Sequence, residues 1–228
     1  MDGSDTPTLE PTCGHPGAQR HHDRGELPQA FRVVRRSFQA SAVTVAGLVL
    51  AGGRGARVGG RDKGLLRDRG QPMAARAAAL LAGVCDEVVI SANRNLSRYA
   101  ILGDAVVSDG RGDHLGPLAG IAAGLAVAKA RFVLTCPCDA TGVPANVPER
   151  LLRALRLDGR ADVAVLRDEE RRQPLLMALR GSLRESIECY LARGNRSAHG
   201  WLDTVKVVEV RIRSAIGNRN VTGTRSYS

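Results

Sequence analysis

The stretch Val43–Leu50 is a nearly continuous apolar run that ends abruptly in a loop with five glycines between residues 52 and 60. Such a run is typical of a strand buried on both faces of a parallel sheet. The glycines after it allow backbone N–H groups to approach an anion closely. The chain has 33 Lys+Arg but only three lysines, and one of them, Lys63, closes this loop. We therefore predict a phosphate-binding site at the end of the first strand, with a compact ammonium group as its cation.

Predicted strands and helices alternate from this run onward. Pro72 suits the first turn of a helix that continues over Ala74–Ala82. Further strands are predicted at Glu87–Ser91, Ala105–Ser108, Phe132–Cys136, Asp162–Leu166, Leu175–Leu179 and Val205–Val210. Further helices are predicted at Pro117–Ala130, Pro148–Leu157 and Gly181–Ala192. This alternation predicts an α/β domain with a mostly parallel sheet and helices on both faces.

Polar side chains follow several of the predicted strands at the point where each strand ends. Asn93 follows the second strand, Asp109 the third and Asp139 the fourth. In open parallel sheets, ligands bind outside the carboxyl ends of the strands, so we expect these side chains and the glycine loop to form one site. A carboxylate at a strand end suits either a Mg²⁺ ligand or a turn cap. From the residues alone, both interpretations stay open for Asp109 and Asp139.

The glycine loop does not match the common nucleotide-binding motifs. Lys63 lies between Asp62 and Gly64, whereas a P-loop has Gly-Lys followed by Ser or Thr. Val58 occupies the position of the last glycine of the dinucleotide-binding fingerprint. The loop therefore predicts an anion site of a different geometry.

Cysteines and histidines match no standard metal-binding spacing. Four of them lie near the N-terminus, where we expect solvated side chains: Cys13, His15, His21 and His22. Cys136 and Cys138 have no second Cys or His cluster nearby in the sequence, so packing in the core is the better interpretation. Five cysteines without framework spacing indicate a reducing compartment, and we expect a cytoplasmic protein.

The net charge of +10 and the pI of about 10.2 invite a nucleic-acid-binding interpretation. The basic residues are interspersed with acids and form no block or stripe, and aromatic residues make up only 3% of the chain, too few for a base-stacking platform. Affinity for phosphorylated small molecules is the better prediction. We expect neither nucleic acid nor a membrane as a partner.

The termini differ in composition from the middle of the chain. Residues 1–40 are rich in Pro, Gly, Asp, His and Arg, and we predict a disordered extension there. The pair Arg35-Arg36 followed by Ala42–Ala51 resembles a twin-arginine export signal, but the apolar run is better explained as the first strand. Residues 211–228 carry four arginines and no acid, and we predict an irregular basic tail.

The fragments described above, taken together, resemble the nucleotidyltransferase superfamily with a Rossmann-like fold. They begin with Leu50-Ala-Gly-Gly53, Arg57 and Gly60-x-Asp62-Lys63. Ala92-Asn93-Arg94, Asp109, Gly116-Pro-Leu-Ala-Gly120, Cys136-Pro-Cys-Asp139 and Arg172-Gln-Pro174 follow, in the order and spacing of molybdenum cofactor guanylyltransferase. The resemblance implies a three-layer Rossmann-like fold, with residues 41–210 as the nucleotidyltransferase domain.

The same resemblance implies roles for individual residues. Nucleotide contacts are implied for Leu50, Ala51, Gly52, Gly53, Lys63, Asn93, Asp109 and Asp139. Among these, Lys63 binds the phosphates, and Asn93 and Asp109 contact the base and the ribose. Asp139 holds Mg²⁺, the implied cofactor, and Arg57 neutralises the polyphosphate, so that Arg57, Lys63 and Asp139 form the implied catalytic set.

The implied reaction is attack by the terminal phosphate of molybdopterin on the α-phosphorus of GTP, with release of pyrophosphate. Molybdoenzymes or their chaperones are further candidate partners. Cytidylyl relatives usually have Leu-Ala-Ala-Gly at the first loop, so Leu-Ala-Gly-Gly at Leu50–Gly53 favours guanine.

Two departures from the family keep alternatives open. Val58 replaces the usual Met, which is a mild change. The family's C-terminal Asn-Val-Asn-Thr-Pro segment has as its counterpart only Asn218-Arg-Asn220-Val-Thr222, with no predicted helix after it. The alternatives are another nucleotidyltransferase, which uses CTP or acts on a sugar phosphate, and a catalytically weak relative that binds a nucleotide or a molybdoenzyme.

Overall fold

The computed structural model of the protein describes residues 33–35, 44–53, 60–110 and 116–218. Its strands are β1 (Val33–Arg35), β2 (Val45–Leu50), β3 (Arg67–Asp68), β4 (Gln71–Pro72), β5 (Glu87–Ser91), β6 (Ala105–Val107), β7 (Phe132–Pro137), β8 (Ala140–Thr141), β9 (Val163–Arg167), β10 (Arg172–Arg180), β11 (Val207–Arg211) and β12 (Gly217–Asn218). Its helices are α1 (Met73–Ala82), α2 (Leu96–Tyr99), α3 (Pro117–Ala128), α4 (Val147–Leu157), α5 (Arg184–Ala192) and α6 (Ala198–Leu202), with 3₁₀ turns at Lys63–Leu65 and Gly181–Leu183.

One large sheet organises the domain, with strand order β1-β6-β5-β2-β7-β10-β9-β11. The neighbouring pairs from β6 to β7, and the pair β9 and β11, are parallel, whereas β1 and β10 run antiparallel to their neighbours. The register aligns Leu50 with Ser91 and with Pro137. The carboxyl ends of β2, β5 and β7 therefore lie side by side at one edge of the sheet.

Two apolar clusters, one on each face of the sheet, make up the core. One cluster includes the buried faces of α1 and α4, and the other includes those of α3, α5 and α6. Hydrophobic burial of strands on both faces requires this helical cover. The three-layer α/β fold with a mostly parallel sheet is confirmed.

The sequences of α3 and α4 explain their different positions. In α4, Leu151, Leu152 and Leu155 are buried while Arg153 and Arg156 are exposed, so this amphipathic helix covers one face of the sheet. In α3, apolar residues surround the helix, and ten of its twelve residues are buried. It packs between the sheet and α5, which accounts for a helix without a polar face.

Several short elements differ from the sequence-based expectations. The extension over residues 1–40 contains β1, which pairs with β6, and the region after residue 210 contains β12, which pairs with β8. The folded chain therefore continues beyond the boundary expected at residue 210, with Ile212 and Ile216 buried. Strands of two or three residues carry no periodic signal and depend on a partner distant in sequence, so local patterns do not reveal them.

No helix within the described parts of the chain combines the length and the apolar character that a membrane crossing requires. The apolar run that resembled an export signal forms β2, with five consecutive buried residues. Both of its sheet partners are parallel strands.

Candidate active site

A cavity of about 360 Å³ lies at the carboxyl ends of β2, β5, β6 and β7. Its volume lies within the range of small-molecule sites. It contains eight of the nine residues implicated from the sequence: Leu50, Ala51, Gly52, Gly53, Lys63, Asn93, Asp109 and Asp139. The ninth, Arg57, lies outside the described residues. The structure therefore brings together side chains that are up to 89 positions apart in the sequence, as the strand-end argument predicts.

Lys63 and Asp139 form one wall of this cavity. Lys63 begins the 3₁₀ turn after the glycine loop, and Asp139 follows β7. The Lys63 Nζ donates to Asp139 Oδ2 at 2.6 Å, and the side chains are 21% and 23% exposed. The pair places a cation and an anion at one position, both open to the cavity and partly shielded from water.

Asn93 and Asp109 line the cavity on the other side of β2, where they follow β5 and β6. The Asn93 Nδ2 donates to Asp109 Oδ2 at 3.0 Å, while Asn93 Oδ1 accepts from the Ser108 Oγ at 3.0 Å and from the Asp109 backbone N–H at 3.2 Å. These bonds fix the amide plane of Asn93 and hold the Asp109 carboxylate at the cavity. A rigid polar wall of this kind suits recognition of hydroxyl and amine groups.

The loop that follows β2 begins with backbone hydrogen bonds to the neighbouring strands and then lines the cavity. The Ala51 N–H donates to the Ser91 carbonyl at 2.8 Å, and the Cys138 N–H donates to the Leu50 carbonyl at 3.1 Å. A Cβ at Gly52 would lie 3.5 Å from the Asn93 Nδ2. The exposed backbone of Gly52 and Gly53 is therefore presented directly to whatever fills the cavity.

Sequence reasoning missed two sets of residues that support this site. Tyr99 and Asn95 hydrogen-bond to Asp62, next to Lys63. Arg76 of α1 pairs with the buried Asp68 and donates to the Ala140 carbonyl at 3.2 Å, directly after Asp139. The signal in the sequence was Tyr99 itself, because the hydroxyl of a buried tyrosine usually has a hydrogen-bond partner.

The carboxylates of the cavity suit a metal ion that is bound partly by the protein and partly by the phosphates of a ligand. Within the described residues, no group of three or more His, Cys, Asp or Glu side chains could hold a metal ion alone. Burial, with the nearby Asp139 carboxylate, raises the pKa of both the Cys136 and the Cys138 thiol to about 12, so they stay protonated and pack in the core. Asp139 and Asp109 remain, which is the set expected for Mg²⁺ bound by one or two carboxylates plus phosphates.

A second cavity, of about 270 Å³, adjoins the first. Its lining includes Pro137, Asp139, Arg171, Gln173, Pro174, Leu175, Leu176, His199 and Asn218. Three of these residues, Pro137, Asp139 and Leu175, line the first cavity as well. Asn218 reaches this position because β12 pairs with β8, with Asn218 opposite Ala140. The C-terminal segment, defined here as residues 212–218, therefore lies beside β8, which follows Asp139.

The buried carboxylate of Asp168 connects the walls of this second cavity. Its Oδ1 accepts from the backbone N–H groups of Glu170 and Arg171, and its Oδ2 accepts from the Gln173 Nε2 at 2.7 Å and the Ile216 N–H at 3.0 Å. Burial alone would raise the pKa of Asp168, but these donors outweigh it and lower the pKa to about 2. The ionised carboxylate thus ties the turn after β9 to the C-terminal segment.

Comparisons with known proteins agree with this geometry. The MobA-like NTP transferase domain family matches residues 47–208. A molybdenum cofactor guanylyltransferase of Shewanella putrefaciens is 42% identical over 154 residues, which cover 68% of this chain and 78% of that protein. Two solved structures share the fold. One is the molybdopterin-guanine dinucleotide biosynthesis protein A of Archaeoglobus fulgidus (21% identity, 73% of this chain and 83% of that chain, TM-score 0.58). The other is a Mycobacterium tuberculosis protein in complex with manganese (19% identity, 75% and 90%, TM-score 0.55).

Proposed function

This chain belongs to the MobA-like NTP transferase family, and we propose that it transfers GMP from GTP to molybdopterin and releases pyrophosphate. Family membership confirms the resemblance found in the sequence. The observation that carries the proposal is one cavity lined by two hydrogen-bonded side-chain pairs, Lys63 with Asp139 and Asn93 with Asp109. The Leu-Ala-Gly-Gly sequence of the first loop supports guanine over cytosine.

The proposed reaction joins two anions. An oxygen of the molybdopterin phosphate forms a bond to the α-phosphorus of GTP, and the bond from that phosphorus to the oxygen bridging to the β-phosphorus breaks. Positioning and neutralisation of charge carry the catalysis in reactions of this kind. Lys63 binds the triphosphate and stabilises the charge that grows on the departing pyrophosphate. Asn93 and Asp109 hold the base and the ribose.

We propose Mg²⁺ as the cofactor, held by Asp139 together with the phosphates of the nucleotide. When bound, it neutralises charge on the reacting phosphate and the leaving pyrophosphate. The Asp139 carboxylate fits this role because its partner is the ammonium group of Lys63. A lysine side chain is flexible, so this ammonium group can bind a phosphate instead. Arg57, expected to neutralise the polyphosphate, stays a prediction.

The second cavity supports a site for the acceptor. It meets the nucleotide cavity at Asp139 and Leu175, so a phosphate bound there would lie next to a nucleotide bound in the first cavity. Arg171 contributes a positive charge to its lining, and Gln173 and His199 contribute hydrogen-bonding groups. We assign molybdopterin to this cavity.

Titration calorimetry with GTP, CTP and ATP in the presence of Mg²⁺ tests the nucleotide assignment. We expect GTP to bind most tightly and binding to weaken when the metal is chelated. Tighter binding of CTP or ATP would overturn the guanine assignment. Failure to bind any of the three would overturn the proposed function.

A second measurement tests the transfer step. Pyrophosphate release from GTP is expected only when molybdopterin is present, since the acceptor phosphate is the nucleophile. Nucleotide binding without pyrophosphate release in the presence of molybdopterin would instead support a weak, binding-only relative. The interactions with molybdoenzymes or their chaperones and the cytoplasmic location stay predictions.

A further inference from the structure

Asp62, the residue before Lys63, uses both carboxylate oxygens to bind a neighbouring segment. Its Oδ1 accepts a hydrogen bond from the Tyr99 hydroxyl at 2.5 Å, and its Oδ2 accepts from the Asn95 Nδ2 at 2.9 Å. The Tyr99 side chain is fully buried. A charged acceptor with two donors is among the stronger hydrogen-bonding arrangements, so the backbone immediately before Lys63 has a fixed position.

A second contact binds the same loop to the same segment. The Arg94 guanidinium donates to the Gly60 carbonyl at 2.8 Å and to the Arg61 carbonyl at 3.5 Å. Residues 94–99 thus bind the last three residues before Lys63, which are residues 60–62. That segment begins directly after Asn93, which lines the same cavity.

Tyr99 also contacts the residue after Lys63. A Cβ at Gly64 would lie 2.3 Å from the Tyr99 hydroxyl and 3.1 Å from the Ala51 Cβ. The glycine is therefore required for the turn to pack against Tyr99. The buried phenol therefore contacts the residues on both sides of Lys63, by a hydrogen bond to the Asp62 carboxylate and by packing against Gly64.

We propose that Tyr99 and Asp62 are positioning residues that hold Lys63 where the phosphates of a nucleoside triphosphate bind. This inference rests on the proposed function, because it assigns Lys63 to the triphosphate. Fixing a charged group before the ligand arrives lowers the entropy lost on binding and in the reaction. Loosening the contact should therefore weaken binding of the phosphates and leave recognition of the nucleoside unchanged.

The test compares GTP with guanosine, which lacks phosphates, by calorimetry on the Tyr99→Phe variant. This change removes only the hydroxyl. We expect the affinity for GTP to fall about 5- to 30-fold and the affinity for guanosine to stay the same. Tyr190→Phe, which removes a hydroxyl on α5, is the matched control and should alter neither affinity. An equal loss for both ligands, or no loss for GTP, would overturn the inference.

A double-mutant cycle with Lys63→Ala tests whether Tyr99 acts through Lys63. Coupled residues give non-additive losses, so adding Tyr99→Phe to Lys63→Ala should cost little further affinity for GTP. Full additivity would contradict the proposed coupling. If Tyr99→Phe does not fold, Asn95→Gly is the second variant. It removes the exposed donor to Asp62, keeps the positive φ of 51° accessible, and should weaken GTP binding selectively. If the wild type binds GTP and these variants bind it equally well, only this inference is refuted. If the wild type binds no triphosphate, the proposed function is refuted as well.

Discussion

Asp139 is the residue at which the two cavities and the Lys63 ion pair meet. Replacing it by Asn keeps the size of the side chain and removes its charge. We expect the turnover number for guanylyl transfer to fall about 10²–10³-fold, the usual loss when one charge-stabilising group is removed. The free energy of unfolding should change by about 1 kcal/mol or less, because a partly exposed ion pair contributes little. Pyrophosphate release and thermal unfolding measure the two effects.

Glu188→Gln is a matched control for this change. Glu188 also accepts from a cation, the Arg184 Nε at 2.8 Å, but it lies on α5 outside both cavities. Its variant should retain wild-type turnover. An Asp139→Asn enzyme within a few-fold of the wild type would contradict the assigned role of this carboxylate.

The cavity-lining residues could be predicted because each follows a strand whose apolar run is visible in the sequence. Parallel strands align their carboxyl ends, so Asn93, Asp109 and Asp139 necessarily come together. Tyr99 and Asn95 could not be predicted in the same way. Their role depends on tertiary contacts with Asp62, 37 and 33 residues away, and no local pattern specifies such a contact.

Helix α3 has a glycine, Gly124, where it packs against β2 of the sheet. A Cβ at Gly124 would lie 2.4 Å from the Leu48 Cδ2 and 3.0 Å from its Cγ, and Leu48 is fully buried, so more than the tip of this side chain would have to move. We expect Gly124→Ala to destabilise the protein by about 1–3 kcal/mol through overpacking, despite the higher helix propensity of alanine. Urea unfolding measures the change.

Gly83→Ala is the control for this helix prediction. Gly83 ends α1 with a right-handed backbone conformation, and its nearest neighbouring atom would lie 4.0 Å from an added Cβ. Alanine should therefore be neutral there or stabilise by up to about 1 kcal/mol. Equal effects of the two substitutions would show that close packing of α3 is not the cause.

Elements with a long apolar pattern could be predicted closely, as β5 shows with bounds identical to the prediction. The direction of a strand is harder to obtain. β10 extends from Arg172 to Arg180 and runs antiparallel to both β7 and β9, yet its apolar residues resemble those of the parallel strands. The direction follows from the short connection after β9, which permits only a hairpin.

The domain as a whole depends on its C-terminal segment more than its sequence suggests. This segment departs from the family pattern, yet its strand β12 pairs with β8, directly after Asp139. The Ile216 N–H also donates a hydrogen bond to the buried Asp168 carboxylate. Asp168→Asn replaces one acceptor oxygen by an N–H₂ group that faces existing donors. We expect a loss of about 2–3 kcal/mol in the free energy of unfolding, together with faster hydrogen exchange at the Ile216 amide. Unchanged exchange at this amide would contradict the link.

The ionised state of Asp168 also predicts how this contribution varies with pH. The folded-state pKa of about 2 lies below the value of about 3.9 expected in the unfolded chain. Because the folded pKa is lowered, the stabilisation is fully present above pH ~4 and is lost as the pH falls toward 2. The difference in unfolding free energy between the wild type and Asp168→Asn should therefore be constant from pH 7 to about pH 5 and shrink steadily below about pH 4. Other carboxylates, such as Asp86 with its lowered pKa, titrate in both proteins and cancel in this difference. Urea unfolding of the two proteins across this range measures it, and a difference that persists unchanged at pH 2 would show that the charge of Asp168 does not hold the C-terminal segment in place.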